Sequence, residues 1–252
     1  MPIACAVALV LLLDASGSVS SEDWRMQADG TAEAIADDAV VRIIERQGSV
    51  AMTAIAFSDI TRPLVPWRIV SGAAEAHAFA QALREAPRVL YGGTRIGEAI
   101  TDALAAFDEA PCQAEQEVVD ISSDGDADPG PTARARDAAA ERGVRVNAIG
   151  IGRHPGGNGS GGGAALDVPG GGAAVDVPGG GAAVDVPGGG AAVNAPGGSA
   201  AGGGAAVNAP GTPADWLREN AITVGGFALS ANDWGDFARA MRRKLAMELA
   251  AR

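Results

Sequence analysis

The run Ala6-Val7-Ala8-Leu9-Val10-Leu11-Leu12-Leu13, broken abruptly by Asp14, constrains this chain more than any other segment. A continuously apolar stretch of strand length that stops at a turn reads as a β-strand buried on both faces. Strands of that kind belong to parallel sheets with helices on each side. Directly past the carboxyl end of the strand the chain reads Asp14-Ala15-Ser16-Gly17-Ser18, a D-x-S-x-S pentapeptide. In a locally extended loop the carboxylate and two hydroxyls can converge on one point. All three are hard oxygen donors, which suit a small divalent cation such as Mg²⁺ or Mn²⁺ and suit neither zinc nor copper. The competing reading of the same residues is a turn followed by a capped helix starting near Ser20 and Ser21.

The text that follows keeps a βαβ rhythm. Trp24 to Arg46 has helical spacing, Val50 to Phe57 and Leu64 to Val70 read as strands, and Gly72 to Glu85 and Arg95 to Ala110 as helices. A strand then ends at Asp124, a helix covers Thr132 to Arg142, and a strand covers Val144 to Ile151. In sheets of this class ligands sit outside the carboxyl ends of the strands at the switch point. Two more segments offer oxygen ligands at such ends. One is Tyr91-Gly92-Gly93-Thr94-Arg95-Ile96-Gly97-Glu98, a glycine turn that presents a threonine at a helix start. The other is Ser122-Ser123-Asp124-Gly125.

Taken in order, D-x-S-x-S, G-G-T and S-D-G resemble the von Willebrand factor type A domain and its metal-ion-dependent adhesion site. The resemblance covers residues 5 to 152 and resumes near 214 to 250, and Asp14, Ser16, Ser18, Thr94 and Asp124 match the site's five positions. Trp216-Leu217-Arg218-Glu219-Asn220-Ala221-Ile222, followed by Gly225-Gly226-Phe227, looks like a bacterial branch of unknown biochemical function. The resemblance implies an α/β fold, three-layered and doubly wound, with a mostly parallel sheet flanked by helices. It implies that Ser16 and Ser18 bind the metal directly and Thr94 directly or through water. Asp14 and Asp124 would hold metal-bound waters. An ion with few charged ligands stays electron-poor, and Mg²⁺ keeps exchangeable waters. Mg²⁺, or Mn²⁺ or Ca²⁺ in its place, would then accept an Asp or Glu carboxylate from a protein partner. The expected function is a non-catalytic, metal-dependent binding module.

The alternative class is a metal-assisted hydrolase, which needs a nucleophile or activated water with an acid/base. No second Asp follows Asp14 at i+2, neither His77 nor His154 sits in a motif, and Ser16 is not in G-x-S-x-G. Alternation from Asp124 sets Asp120 on the face of Ser122, towards a buried arginine or the helices, with no ligand role. Asp126 and Asp128 read as loop charges at the rim, and Glu98 as a favourable first-turn charge.

From Gly161 the text changes to five near-identical nonapeptides, G-G-G-A-A-V-D/N-x-P, ending at Pro210. Calcium-binding β-rolls share a nine-residue period, which leaves a calcium-binding repeat protein as a further alternative. Here Ala174 and Pro178 stand where that pattern wants glycine and a large apolar residue, and proline fits a ladder badly. The expected organisation is a first part over 1–153, a flexible Gly/Ala/Pro-rich insertion over 154–211, and a return to the same domain over 212–252. That return is read as a helix over Asp215 to Ala221, a strand over Ala221 to Leu229, and a helix over Asn232 to Ala250.

Charge and cysteines bound the partners. With 19 basic against 31 acidic residues, a net charge of −12 argues against nucleic acid and anionic lipid. The first apolar run is too short to span a bilayer and lacks a basic n-region, so it reads as a strand, not a signal peptide. An export signal lying upstream of Met1 would make the protein periplasmic or secreted. In the resembled sheet the strands that begin at Cys5 and just after Cys112 are parallel neighbours. Both cysteines then fall at the edge opposite the metal site, where a disulfide can close. Two unpaired thiols are the alternative, and a bridge would point to an oxidising compartment.

Overall fold

The computed structural model describes residues 4–125, 127–152 and 211–250. The nonapeptides, Asp126 and His154 lie outside them. Six strands among the described residues form one sheet: β1 (Ala4–Asp14), β2 (Val50–Phe57), β3 (Thr61–Val70), β4 (Gln113–Ser123), β5 (Arg145–Ile151) and β6 (Ala228–Ala231). Their order is β3-β2-β1-β4-β5-β6, with β3 antiparallel to β2 and the other pairings parallel. The chain winds from β1 to β2 on one side and later to β4 on the other. The switch point of the sheet therefore lies between β1 and β4.

Among the described residues seven α-helices cover the sheet: α1 (Ser21–Ile35), α2 (Asp38–Gln47), α3 (Ala73–Glu85), α4 (Ile96–Ala106), α5 (Pro129–Arg142), α6 (Pro213–Asn220) and α7 (Trp234–Ala250). Alternate residues of β1 face opposite layers. Leu9, Leu11 and Leu13 pack in one core with Ile35 of α1, Phe79 of α3 and Met241 of α7. Val10 and Leu12 pack in the other with Ile100 of α4, Ala139 of α5 and Leu217 of α6. This is the three-layer, doubly wound architecture that a strand buried on both faces requires. Residues 211–250 add β6, α6 and α7 to the same sheet.

Two elements depart from the sequence reading. The single helix expected over Trp24 to Arg46 is two, because the Asp37 carboxylate accepts from Ala39 N (2.8 Å) and Val40 N (3.4 Å) and starts a new helix. The last strand, expected over Ala221 to Leu229, occupies only Ala228–Ala231. Ahead of it the Thr223 hydroxyl accepts from Val146 N (2.9 Å) and Gly225 turns the chain with φ 83°. A side chain at Gly226 would meet Val146 O at 2.2 Å, so the segment lies close against β5 through single contacts, and the regular ladder begins only at Ala228.

At the amino-terminal edge a disulfide joins Cys5 and Cys112, with the α-carbons 5.9 Å apart. Deeper in, Asp120 faces a lysine, not an arginine. Lys244 of α7 bridges Asp120 and Glu248, the latter at 2.5 Å, and all three are sealed from solvent. Asn147 donates to Glu248 Oε1 (2.8 Å) and accepts from Phe227 N (3.0 Å). Two buried carboxyls share one ammonium, so one of them holds a proton at neutral pH. Burial, and then the charge of Asp120, push Glu248 up to about 8 against the pull of Lys244.

Candidate metal centre

β1 and β4 run side by side, with Leu13 opposite Ser122, so Asp14 and Ser123 leave the sheet together at its carboxyl edge. The Ser123 hydroxyl donates to Asp14 Oδ2 (2.5 Å), and Ser16 N donates to Asp14 Oδ1 (2.8 Å). Asp14 is fully buried and Ser16 nearly so. Beneath them Gln27 of α1 ties both strands together. Its Oε1 accepts from Asp14 N (3.2 Å) and from the Ser122 hydroxyl (2.6 Å), while its Nε2 donates to Asp14 O (2.8 Å). The loop is thereby held from below by the protein itself.

Ser18 points the other way, into solvent. Its hydroxyl lies 3.1 Å from that of Ser16 and donates to Asp124 Oδ1 (2.9 Å). Thr94 enters from the loop before α4. A β-carbon built on Gly125 would stand 3.7 Å from Thr94 Oγ1 and 4.0 Å from Ser18 Oγ. Both hydroxyls therefore stand within ordinary contact range of the Gly125 turn, beside Asp124. The structure thus places Asp14, Ser16, Ser18, Thr94 and Asp124 around one edge of the sheet, at the switch point. Among the described residues no group of three or more His, Cys, Asp or Glu is arranged to hold a metal. The donors that converge are hydroxyls with two carboxylates, an all-oxygen set of the kind hard divalent cations take.

Electrostatics fit the same reading. Burial pushes Asp14 up to about 6, against hydrogen bonds from Ser123 and Ser16, with the charge of Asp124 adding to the rise. Burial also raises Asp124, against the hydrogen bond from Ser18. A divalent cation between these groups would favour both ionised forms and reverse the shifts.

The loops around these oxygens are pinned. Gly17 N donates to Gly92 O (2.7 Å), and Gly92 takes φ 136°, a conformation that favours glycine. Asp59, from the β2–β3 turn, accepts from Gly93 N (3.0 Å) and pairs with Arg95. Arg88 donates to Ala15 O (3.2 Å) and Ser16 O (2.7 Å). Gln27, Ser123, Asp59 and Arg88 escape a motif reading because each acts on the backbone or on a ligand's far side. Asp128 caps α5 by accepting from Gly130 N (2.9 Å), and Glu98 pairs with Arg95 in the first turn of α4.

Comparison with known proteins gives the same fold. The model of the family described as "Protein of unknown function (DUF1194)" matches residues 4–164. No curated protein matches the chain. Among solved structures, a von Willebrand factor type A protein from Catenulispora acidiphila superposes with a TM-score of 0.59 at 16% identity, over 97% of this chain and 43% of that one. Proximal thread matrix protein 1 from the mussel byssus, solved with a zinc-occupied MIDAS motif, gives 0.57 at 13% identity, over 97% and 46%. An aerotolerance-related membrane protein from Bacteroides fragilis gives 0.53 at 16% identity, over 95% and 98%. The chain thus spans less than half the length of the first two proteins. At these identities the likeness is one of fold, that of the von Willebrand A domain.

Proposed function

We propose, for a chain that belongs to the DUF1194 family of proteins of unknown function, a non-catalytic role: divalent-metal-dependent recognition of a carboxylate on a protein partner. One observation carries the reading. The oxygens of Ser16, Ser18 and Asp124 form a hydrogen-bonded chain, and the Thr94 hydroxyl stands close by across the Gly125 turn. Ser16, Ser18 and Thr94 would hold Mg²⁺, Mn²⁺ or Ca²⁺, with Asp14 and Asp124 behind them. The bound ion would supply a Lewis-acidic position for an Asp or Glu side chain.

The non-catalytic half of the proposal rests on what surrounds Ser16. Its hydroxyl has the Ser18 hydroxyl as partner, and it is buried beneath its own loop. His77, the histidine among the described residues, lies exposed on α3 and contacts Ala73 O. Among the described residues no histidine is paired with Ser16, which supports a binding role over a nucleophilic one. The Cys5–Cys112 bridge fits an oxidising working environment, where the partner should be sought.

The test is calorimetric titration of metal-stripped protein with Mg²⁺, Mn²⁺, Ca²⁺ and Zn²⁺, beside Asp14→Ala and Ser16→Ala. Zinc is included because it occupies the site of the mussel protein. One binding event, lost in both variants, is expected. Affinity unchanged in both would refute the site.

A further inference from the structure

Several exposed apolar side chains stand on loops tied to the proposed metal centre. Among the described residues the large apolar side chains most open to water are Ile60, Val89, Tyr91, Val224 and Met247. Three of these, Ile60 (50% exposed), Val89 (54%) and Tyr91 (64%), stand on the two loops that wall the D-x-S-x-S segment. Exposed apolar groups gathered beside a polar site mark interaction surfaces more often than chance scatter does.

Their support is rigid. The Tyr91 ring lies 4.5 Å over the Arg88 guanidinium, which is itself fixed to the carbonyls of Ala15 and Ser16. The next peptide is held by the bond from Gly17 N to Gly92 O. Ser58 joins the second loop to the first: its hydroxyl donates to Tyr91 O (3.5 Å), its N–H donates to Ile60 O (2.9 Å), and its carbonyl accepts from Arg95 N (3.2 Å). An aromatic ring held in place before binding loses little freedom on contact, the usual property of an interface anchor.

Charge decides what such a shelf is for. The chain carries a net charge of −12, which opposes an acidic partner at long range. The attraction of one metal–carboxylate contact works against that repulsion, whereas an apolar contact beside it is indifferent to charge. We propose that the partner is held at two adjoining points: a carboxylate at the metal, and a neighbouring Leu, Ile or Phe side chain seated on the shelf of Tyr91, Val89 and Ile60. The occupant is an extended segment of another protein in which Asp or Glu adjoins a large apolar residue. The inference rests on the metal-dependent reading above and adds the sequence that reading selects.

Immobilised synthetic hexapeptides test it. Each has a central Asp flanked by Leu and Phe or by Gly and Ser, with Asn-for-Asp controls, and is probed with full-length protein in Mg²⁺ or in EDTA. The expected result is that apolar-flanked Asp peptides bind about tenfold more tightly than Gly/Ser-flanked ones, in Mg²⁺ only. That factor is what about 1.4 kcal/mol carries. Tyr91→Ser and Val89→Ser should erase the preference with calorimetric Mg²⁺ affinity unchanged, and Tyr91→Phe should retain it. Metal-dependent binding with no apolar preference, or a preference that survives Tyr91→Ser and Val89→Ser, overturns the shelf and leaves the metal reading standing. Binding that persists in EDTA or with Asn for Asp removes the metal reading and this inference together. Failure of every Asp peptide at millimolar concentration, with Mg²⁺ bound, overturns the shelf and the carboxylate reading together and leaves only the metal site.

Discussion

Replacing Glu248 by glutamine should make this protein more stable at neutral pH, although the carboxyl it removes lies 2.5 Å from a lysine ammonium. The reason is that Glu248 is held in its protonated form. Its pKa is pushed from 4.5 to about 8, by burial first and by the charge of Asp120 second. The folded state therefore binds this proton more strongly than the unfolded chain does. Between those two values stability falls as pH rises, by about 1.4 kcal/mol for each pH unit. Below pH 4.5 both states are protonated and nothing is lost. At pH 7 the accumulated loss is on the order of 3 kcal/mol, a large share of a typical 5–15 kcal/mol domain stability. Glutamine copies the protonated acid. Its oxygen can accept from Lys244 and Asn147 as Glu248 Oε1 does, and its amide can donate towards Asp120. The assay is urea unfolding of wild type and Glu248→Gln from pH 5 to 8, followed by tryptophan fluorescence. Asp14 titrates in both proteins, so the difference between the curves reports on the buried Asp120–Glu248 pair. A gap that opens steadily with pH, in favour of the variant, is expected. Parallel curves, or a variant weaker than wild type at pH 7, would show that Glu248 is ionised in the fold and that the proton sits elsewhere.

Two further perturbations probe the support of the site and the far edge of the sheet. Gln27→Leu keeps the bulk but strips the amide's bonds from Asp14 N and Asp14 O, and leaves the Ser122 hydroxyl only its 3.4 Å bond to Leu12 O. Each orphaned buried group costs roughly 1–3 kcal/mol, so both the urea midpoint and Mg²⁺ affinity should drop, whereas a purely structural role would leave the affinity intact. Reduction of the Cys5–Cys112 bridge reopens a loop with a sequence separation of 107. For a loop near that length chain entropy predicts a loss of about 4.7 kcal/mol. The midpoint of the reduced protein should move accordingly while Mg²⁺ affinity stays constant, because the bridge lies at the opposite edge. Equal midpoints for the oxidised and reduced forms would contradict the entropic account.

What could be read from the chain depended on whether a residue's neighbours in space are also its neighbours in sequence. The D-x-S-x-S loop is local: a buried strand stops, and its next residues must face the carboxyl edge, so Asp14, Ser16 and Ser18 declare themselves. Thr94 and Asp124 follow because each also stands at an element end. The supporting residues are of another kind. Gln27 falls on the buried stripe of α1, with Trp24, Ala28 and Thr31 at helical spacing, and only the meeting of α1 with β1 and β4 tells why a polar residue is there. Lys244 and Glu248 occupy the same stripe of α7 as Phe237, Met241, Leu245 and Leu249. A search for apolar periodicity picks the four apolar residues and passes over the two charges between them. The helix break at Asp37 and the shortened last strand went unread for a similar reason. One is decided by an aspartate that caps in place of continuing, the other by a glycine whose missing side chain lets it meet the backbone of β5. A charged or amide residue in register with an apolar stripe is therefore the signal to look for. In this fold it marks the two places, beneath the candidate metal loop and beneath α7, where helices are fastened to β4 by hydrogen bonds and charge as well as by packing.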